Sequence, residues 1–296
     1  MTTSEVVLDV EGLRMRYGPA DVLHDVTFRA RRGEVVCLLG PNGAGKTTTI
    51  EILEGFRMRS AGRVEVLGTD PARAGEDWRA RVGVVLQSWR DHGKWRVREL
   101  LQHLGRYYAA YATETVARPW RADRLIAAVG LTEQAEHKIR TLSGGQRRRF
   151  DVAVGLVGRP ELVFLDEPTA GLDPVARRAF HELVLRLAAE GDTTILLTTH
   201  DLAEAEKLAD RIMVLDGGRI VADGTVAQLA RQIAGEDEVR WTRDGQRFAR
   251  SAAESTRLVF DLFKQYGEEI EDLEVRRASL EDTYLSLVRQ AEEGTR

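Results

Sequence analysis

The segment 40–48 carries glycines, a lysine and two threonines at the spacing of a loop that binds phosphate groups. An apolar run precedes it and a helix-compatible segment follows, which is the order of elements that such a loop requires. Glycines allow consecutive backbone N–H groups to turn towards phosphate oxygens without a clashing Cβ atom. A glycine-rich turn with a chance lysine is the alternative, and the flanking elements argue against it. The predicted nucleotide-binding residues of the loop are Gly40, Pro41, Asn42, Gly43, Ala44, Gly45, Lys46, Thr47 and Thr48.

Three side chains of this loop have separate predicted roles. Lys46 is expected to reach the β- and γ-phosphates of a nucleotide, and it is also counted as a catalytic residue. The Thr47 hydroxyl is expected to be a ligand of Mg²⁺, and Thr48 would add a hydroxyl near the α-phosphate. The predicted ligands are therefore a nucleoside triphosphate and Mg²⁺.

Two adjacent carboxylates, Asp166 and Glu167, follow the apolar run 162–165. Mg²⁺ prefers oxygen ligands, so Asp166 is the predicted metal partner, through a coordinated water molecule. Glu167 would polarise the water that attacks the γ-phosphate. Asp-Glu-Pro at the end of a strand is also a common turn and helix start, and only the upstream phosphate loop favours the catalytic interpretation.

His200 follows a third apolar run, 194–197, after two threonines. A lone histidine is usually a structural residue. Because its strand is expected to end beside the phosphate site, we predict that His200 contacts the γ-phosphate and senses hydrolysis.

The order of the elements predicts an α/β fold with a parallel-sheet core. Apolar runs alternate with helical patterns, which is typical of a doubly wound parallel sheet with ligands outside the carboxyl ends of its strands. Short strands between residues 5 and 40 predict an antiparallel β subdomain, and the region of about 89–160 predicts a helical insertion. The tail predicts a small α+β extension with one strand, Leu273–Arg276, and a final helix, Ser279–Gln290.

Composition narrows the function classes. The formal net charge of −4 and the isoelectric point near 6.0 disfavour a nucleic-acid partner. Three consecutive arginines at 147–149 are interpreted as a solvated basic surface. The single cysteine, Cys37, lies in an apolar run and predicts a buried structural thiol. No apolar stretch approaches the ~20 residues of a spanning helix, so any membrane role is expected to act through another polypeptide.

The string Leu142-Ser143-Gly144-Gly145-Gln146 resembles the signature motif of the ABC ATPases. With the phosphate loop, Gln87, the acidic pair, the Gly171-Leu172-Asp173 segment and His200, six motifs of that family occur in its order. The resemblance covers residues 5 to about 228 and implies a P-loop NTPase fold. It implies ATP and Mg²⁺ as ligands and ATP hydrolysis as the activity.

The resemblance also implies roles for residues outside the phosphate loop. In this family two subunits pair head to tail, and the signature motif of one closes over ATP held by the other. Ser143, Gly144, Gly145 and Gln146 would then bind nucleotide, and Asp173 would cross the subunit interface. Gln87 would be a metal and catalytic residue that links the Mg²⁺ site to the helical insertion, where a membrane partner docks. Tyr17 would stack on adenine, although a lone tyrosine could equally belong to the core.

The family implies a polytopic permease and a second ATPase subunit as partners, and a peripheral position on the cytoplasmic side of the cell membrane. The predicted domains are 5–228 for the ATPase and 235–296 for an accessory domain. The tail resembles that of drug-resistance exporter ATPases, which favours efflux of a hydrophobic small molecule. The alternative is a soluble ABC ATPase of translation or DNA repair. Ala170 and Phe150 depart from the family's usual serine and leucine.

Overall fold

The computed structural model describes residues 5–85, 92–189, 193–233, 237–252 and 254–276. Its chain divides into two compact units, 1–220 and 221–296. Twelve strands lie in the described residues: β1 Val6–Tyr17, β2 Ala20–Arg31, β3 Val35–Leu39, β4 Ala61–Val66, β5 Val82–Val85, β6 Leu162–Asp166, β7 Thr194–Thr199, β8 Arg211–Asp216, β9 Arg219–Gly224, β10 Asp237–Arg243, β11 Gln246–Ala252 and β12 Glu271–Arg276.

Nine α-helices lie in the same residues, and none that the structure describes is long and apolar enough to cross a membrane. They are α1 Lys46–Leu53, α2 Glu76–Arg79, α3 Val97–Tyr108, α4 Ala122–Ala128, α5 Gly144–Leu156, α6 Pro174–Ala189, α7 Leu202–Leu208, α8 Val226–Ile233 and α9 Ser255–Tyr266.

The strands β5-β6-β7-β3-β8, adjacent in that order, form the central sheet of the first unit. Neighbouring pairs from β5 to β8 are parallel. Every residue of β3, β6 and β7 is buried, as expected for apolar strands that are covered on both faces. The register places Asp166 opposite Thr198 and Leu39 opposite Thr199, so three strands end at one edge.

A separate three-stranded sheet, in the order β2-β1-β4, packs on the same core. Both of its pairs are antiparallel, which confirms the predicted β subdomain. Its apolar side chains, such as Leu8 and Val26, share one buried cluster with Leu38 and Leu215 of the central sheet. Burial of this kind stabilises the fold because apolar area leaves water.

Helices α3, α4 and α5 make up the described part of the predicted insertion, and they contact one another. Phe150, on α5, is fully buried, so an aromatic side chain fits where the family usually has leucine. Cys37 is also fully buried, as predicted, and burial raises the pKa of its thiol.

The second unit corrects the expectation of a single strand in the tail. Three antiparallel strands form a sheet in the order β11-β10-β12, and α9 contacts β10 and β11. Trp241 stacks on Phe248 across the first pair, with ring centroids 5.6 Å apart. The predicted strand at 273–276 is the end of β12, and the predicted helix at 279–290 lies outside the described residues.

Candidate functional site

The phosphate loop joins β3 to α1 in a conformation that requires glycine. Gly43 and Gly45 have φ angles of 85° and 104°, which L-residues rarely adopt. A Cβ atom on Gly40 would lie 2.2 Å from the carbonyl oxygen of Leu215. These positions let the backbone turn tightly at the start of α1, where its first N–H groups are free to bind an anion.

Lys46 is the first residue of α1, and it is only 5% exposed. Its Nζ donates to the carbonyl oxygens of Gly40, at 2.8 Å, and Pro41, at 3.1 Å. The Nζ atom also lies 3.2 Å from Oε1 of Glu167. The ammonium group is thus held inside the curve of the loop, where phosphate oxygens could replace these acceptors.

Asp166 ends β6 and is held by two hydroxyl groups. Thr47 donates to its Oδ2 atom at 3.1 Å, and Thr198 donates to its Oδ1 atom at 2.6 Å. The Thr198 hydroxyl also accepts a hydrogen bond of 2.9 Å from the backbone N–H of Glu167. Thr198 was not predicted as a site residue, and the sequence signal for it was the pair of threonines between the apolar run and His200.

Glu167 follows β6 with a φ angle of 42°, a left-handed conformation that is uncommon for a non-glycine residue. The Glu167 carboxylate lies beside Lys46 and His200. Its Oε1 atom lies 3.5 Å from Nδ1 of His200, whose side chain is 54% exposed. The structure therefore brings together Lys46, Thr47, Asp166, Glu167 and His200.

A buried network behind His200 was missed in the sequence. Thr199 donates to Oε2 of Glu204 at 2.7 Å, and Nε2 of His181 lies 3.2 Å from the other oxygen of that carboxylate. Arg177, one turn before His181 on α6, pairs with Asp201 at 2.9 Å. Two contacts therefore tie α6 to the chain just after His200, and Glu204 links one of them to Thr199 just before it.

The arginine run at 147–149 is not a solvated surface, and this prediction was wrong. Arg148 is buried and donates to the carbonyl oxygens of Pro168, at 2.6 Å, and Asp166, at 3.3 Å. Arg147 pairs with Asp151, and Arg149 donates to the carbonyl oxygen of Gly130. Burial lowers the pKa of Arg148, and three adjacent charges gave no sign that the middle one supports the acidic pair.

The signature residues lie at the start of α5. Ser143 caps the helix by accepting from the backbone N–H of Gln146, and the Gln146 side chain accepts from the N–H of Ser143 in return. Next to them is a cavity of about 510 Å³, which we call the signature pocket. It is lined by Ser143, Gly144, Gly145, Gly171, Asp173 and Arg149, among others.

Of the two remaining predicted residues, Tyr17 lies in the described part of the chain and Gln87 does not. Tyr17 ends β1 and is 39% exposed, with the guanidinium carbon of Arg57 lying 5.0 Å from its ring centroid. Gln87 lies outside the described residues.

Glu54 is a further buried carboxyl group, directly after α1. Burial raises the pKa of its side chain to about 8, and the negative charge of Asp166 adds to this shift. The end of α1 is therefore an environment that disfavours additional negative charge.

The oxygen atoms of this edge suit Mg²⁺. A hydroxyl from Thr47 and a carboxylate from Asp166 lie 3.1 Å apart, beside a loop shaped for phosphate. Mg²⁺ is commonly bound through one or two carboxylates together with substrate phosphates and water.

This fold and geometry define a nucleotide-binding protein of the P-loop class. The family model described as ABC transporter matches residues 23–170, half of the chain. A daunorubicin resistance ATP-binding protein from Streptomyces coeruleorubidus is 36% identical, covering 96% of each chain. A Nod factor export ATP-binding protein I from Ralstonia nicotianae is 44% identical over 80% of this chain and 72% of its own.

Solved structures agree with these relatives. An ATP-binding subunit of an ABC transporter is 31% identical, with a TM-score of 0.65, over 76% of this chain and 92% of that one. An ABC transporter cassette in its ADP conformation has the same TM-score at 24% identity and shows the shared fold alone.

The chain belongs to the ATP-binding proteins of ABC transporters. It is an ATP-binding protein and an ATPase by family. The predicted family, fold class and activity are confirmed, and these relatives support transport rather than the alternative in translation or DNA repair.

Proposed function

We propose that this chain is the ATP-hydrolysing motor of an exporter of hydrophobic small molecules, working in pairs on a separate polytopic permease. The observation that carries the proposal is the meeting of Lys46, Asp166, Glu167 and His200 at one edge of the central sheet. A cation, a metal-binding carboxylate and a base candidate at this spacing are the groups that phosphoryl transfer to water requires.

Phosphate binding is assigned to the loop and Lys46. The free N–H groups at the start of α1 would donate to phosphate oxygens, and the Lys46 ammonium would exchange its contacts with Gly40 and Pro41 for the β- and γ-phosphates. Thr48 would lie near the α-phosphate. The buried position of Lys46 strengthens this interaction, because little water screens the charge.

Metal binding is assigned to Thr47, Asp166 and Gln87. When bound, Mg²⁺ would neutralise negative charge on the β- and γ-phosphates. Thr198 would orient Asp166 by its hydrogen bond of 2.6 Å, and the buried Arg148 would hold the backbone that follows β6.

Water activation is assigned to Glu167. Its carboxylate would accept a proton from the attacking water, and His200, 3.5 Å away, would contact the γ-phosphate. Lys46 must leave Glu167 for the phosphates before the carboxylate can act as a base, so nucleotide binding would itself release the base.

Closure of the nucleotide-binding site is assigned to the signature pocket of a second copy of the chain. Ser143, Gly144, Gly145 and Gln146 would contact ATP bound to the partner subunit, and Asp173 would lie at the interface. At present Asp173 caps α6, accepting from the backbone N–H groups of Val175 and Ala176 at 2.9 Å. Tyr17 would stack on the adenine ring.

Export and location are inferred from relatives. The relatives named for drug resistance and for export favour outward transport. A hydrophobic small molecule as cargo, and a peripheral position on the cytoplasmic side of the cell membrane, are proposed from the family resemblance. The proposed domains remain 5–228 for the ATPase, with a helical subdomain at about 89–160, and 235–296 for an accessory domain.

A pull-down from native membranes tests this proposal. Tagged Glu167→Gln protein is incubated with MgATP and detergent-solubilised membranes, and co-purifying proteins are identified by mass spectrometry. We expect a polytopic membrane protein, and much less of it with the matched control Lys46→Ala. Recovery of ribosomal or DNA-repair components without a membrane protein would contradict the proposal.

A further inference from the structure

We propose that Arg57 positions the base-stacking residue. It braces the Tyr17 ring from one side and presents the other face to the nucleotide base. The inference deepens the proposed function and rests on the role in adenine stacking assigned there to Tyr17.

The first observation is the contact itself. The guanidinium carbon of Arg57 lies over the Tyr17 ring, 5.0 Å from its centroid. Tyr17 ends β1 at a two-residue turn and is nevertheless 39% exposed. A ring that is covered by a cation and still accessible offers one open face. Because its rotation is already restricted, stacking on a base would cost less side-chain freedom.

The second observation is that Arg57 is itself fixed. Its Nε atom donates to Oε2 of Glu51 at 2.6 Å, and its backbone N–H donates to the Glu51 carbonyl oxygen at 3.0 Å. Glu51 lies on α1, which begins at Lys46. Helix α1 therefore begins at the phosphate loop and, through Glu51, also fixes Arg57 beside Tyr17. The phosphate-binding and base-binding parts of the nucleotide site thus share one rigid helix.

The chemistry of the side chain suits this role. A guanidinium group is planar and stacks on aromatic rings, whereas a lysine ammonium is a strongly hydrated point charge. Glu51 balances the charge of Arg57, so the pair adds no net charge beside the base. The Tyr17 ring would then lie between the guanidinium group of Arg57 and the base.

Binding of two probes separates this role from a general effect on the site. MgADP contains the base, and magnesium pyrophosphate does not; both are titrated calorimetrically into the full chain. Tyr17→Leu is expected to lower the affinity for MgADP about tenfold, the scale of one base–aromatic stack. Arg57→Met is expected to weaken it about threefold, the scale of an exposed cation–π contact. Neither substitution should change pyrophosphate affinity, and the double variant should lose no more than Tyr17→Leu.

Arg79→Met is the matched control, because Arg79 is exposed and pairs with Glu76 at 2.7 Å. It should leave both affinities unchanged. If Tyr17→Leu keeps full MgADP affinity, the assigned stacking role fails, and the brace fails with it. If Tyr17→Leu lowers the affinity for MgADP and Arg57→Met does not, only the positioning role of Arg57 is overturned. An equal loss for both probes in Arg57→Met, or tighter MgADP binding, would also overturn it.

Discussion

The phosphate loop and the signature pocket both lie at the start of a helix, where free backbone N–H groups attract anions. At the phosphate loop, Lys46 and Asp166 are both buried. Lys46 donates to the carbonyl oxygen of Gly40, and Asp166 accepts from Thr198 on the neighbouring strand β7. At the signature pocket, Ser143 and Gly144 are exposed beside an open cavity. The first arrangement contains a cation, carboxylates and hydroxyls within one chain. The second offers backbone hydrogen-bond donors that, in our proposal, act on nucleotide bound by another copy. The two sites are therefore expected to respond differently to substitution.

Substitution of Glu167, at the phosphate loop, should cause the largest change in the rate of MgATP hydrolysis. Glu167→Gln keeps the size of the side chain and removes the base, so hydrolysis of MgATP should fall by about 10²-fold or more. MgATP binding should persist, because Lys46 and the loop are unchanged. Steady-state turnover and equilibrium binding are measured on the same preparation, and undiminished turnover would remove Glu167 from the role of base.

Paired substitutions at the two helix starts test the comparison directly. Lys46→Ala should weaken MgADP binding about 10- to 100-fold, as expected for loss of a hydrogen bond to a charged group. Ser143→Ala should leave MgADP affinity within about twofold and reduce MgATP hydrolysis about tenfold, since its donor would act on the partner's nucleotide. Calorimetry and turnover assays measure the two effects. Parallel losses of MgADP affinity in both variants would show that the signature pocket contributes to its own subunit's site.

Burial of the Glu54 carboxyl group, directly after the end of α1, gives the smallest expected effect. Because the pKa of Glu54 rises from 4.5 to about 8, the folded protein keeps the proton while the unfolded chain loses it. This contribution to stability is complete below pH 4.5, declines as the pH rises, and is lost as the pH passes 8. Glu54→Gln cannot ionise and should therefore melt about 5 °C higher than the original chain at pH 8.

Thermal melting at pH 4.5, 6 and 8 measures this difference, which should shrink towards the acid end. The control Glu182→Gln removes an exposed carboxylate that pairs with Arg178 on α6, and its effect should not grow with pH in this way. A constant difference for Glu54→Gln across the range would show that folding does not raise the pKa of this carboxyl group.

The central sheet and its site could be predicted because their signals are local. Each of β3, β6 and β7 is a short apolar run, and polar residues follow where the strand ends. Parallel neighbours bring those ends to one edge, so Lys46, Asp166 and His200 were expected together.

The second unit could not be predicted to the same extent. Strands β10 and β11 carry arginines and acidic residues among few apolar ones, and much of β11 is exposed. A sheet with one solvated face lacks the continuous apolar run that identifies a buried strand. One strand was therefore expected where the structure has three.

The sequence by itself determined the motifs, their order and the family, because the phosphate loop, the signature and the acidic pair each require particular residue types at fixed short spacings. Only the tertiary structure decided that Arg148 is buried under the acidic pair, that Thr198 bridges Asp166 and Glu167, and that Arg57 covers Tyr17. The physical reason is the same in each case. These contacts join residues far apart in the chain, and local spacing says nothing about which distant carbonyl, carboxylate or ring will satisfy a charged or polar group.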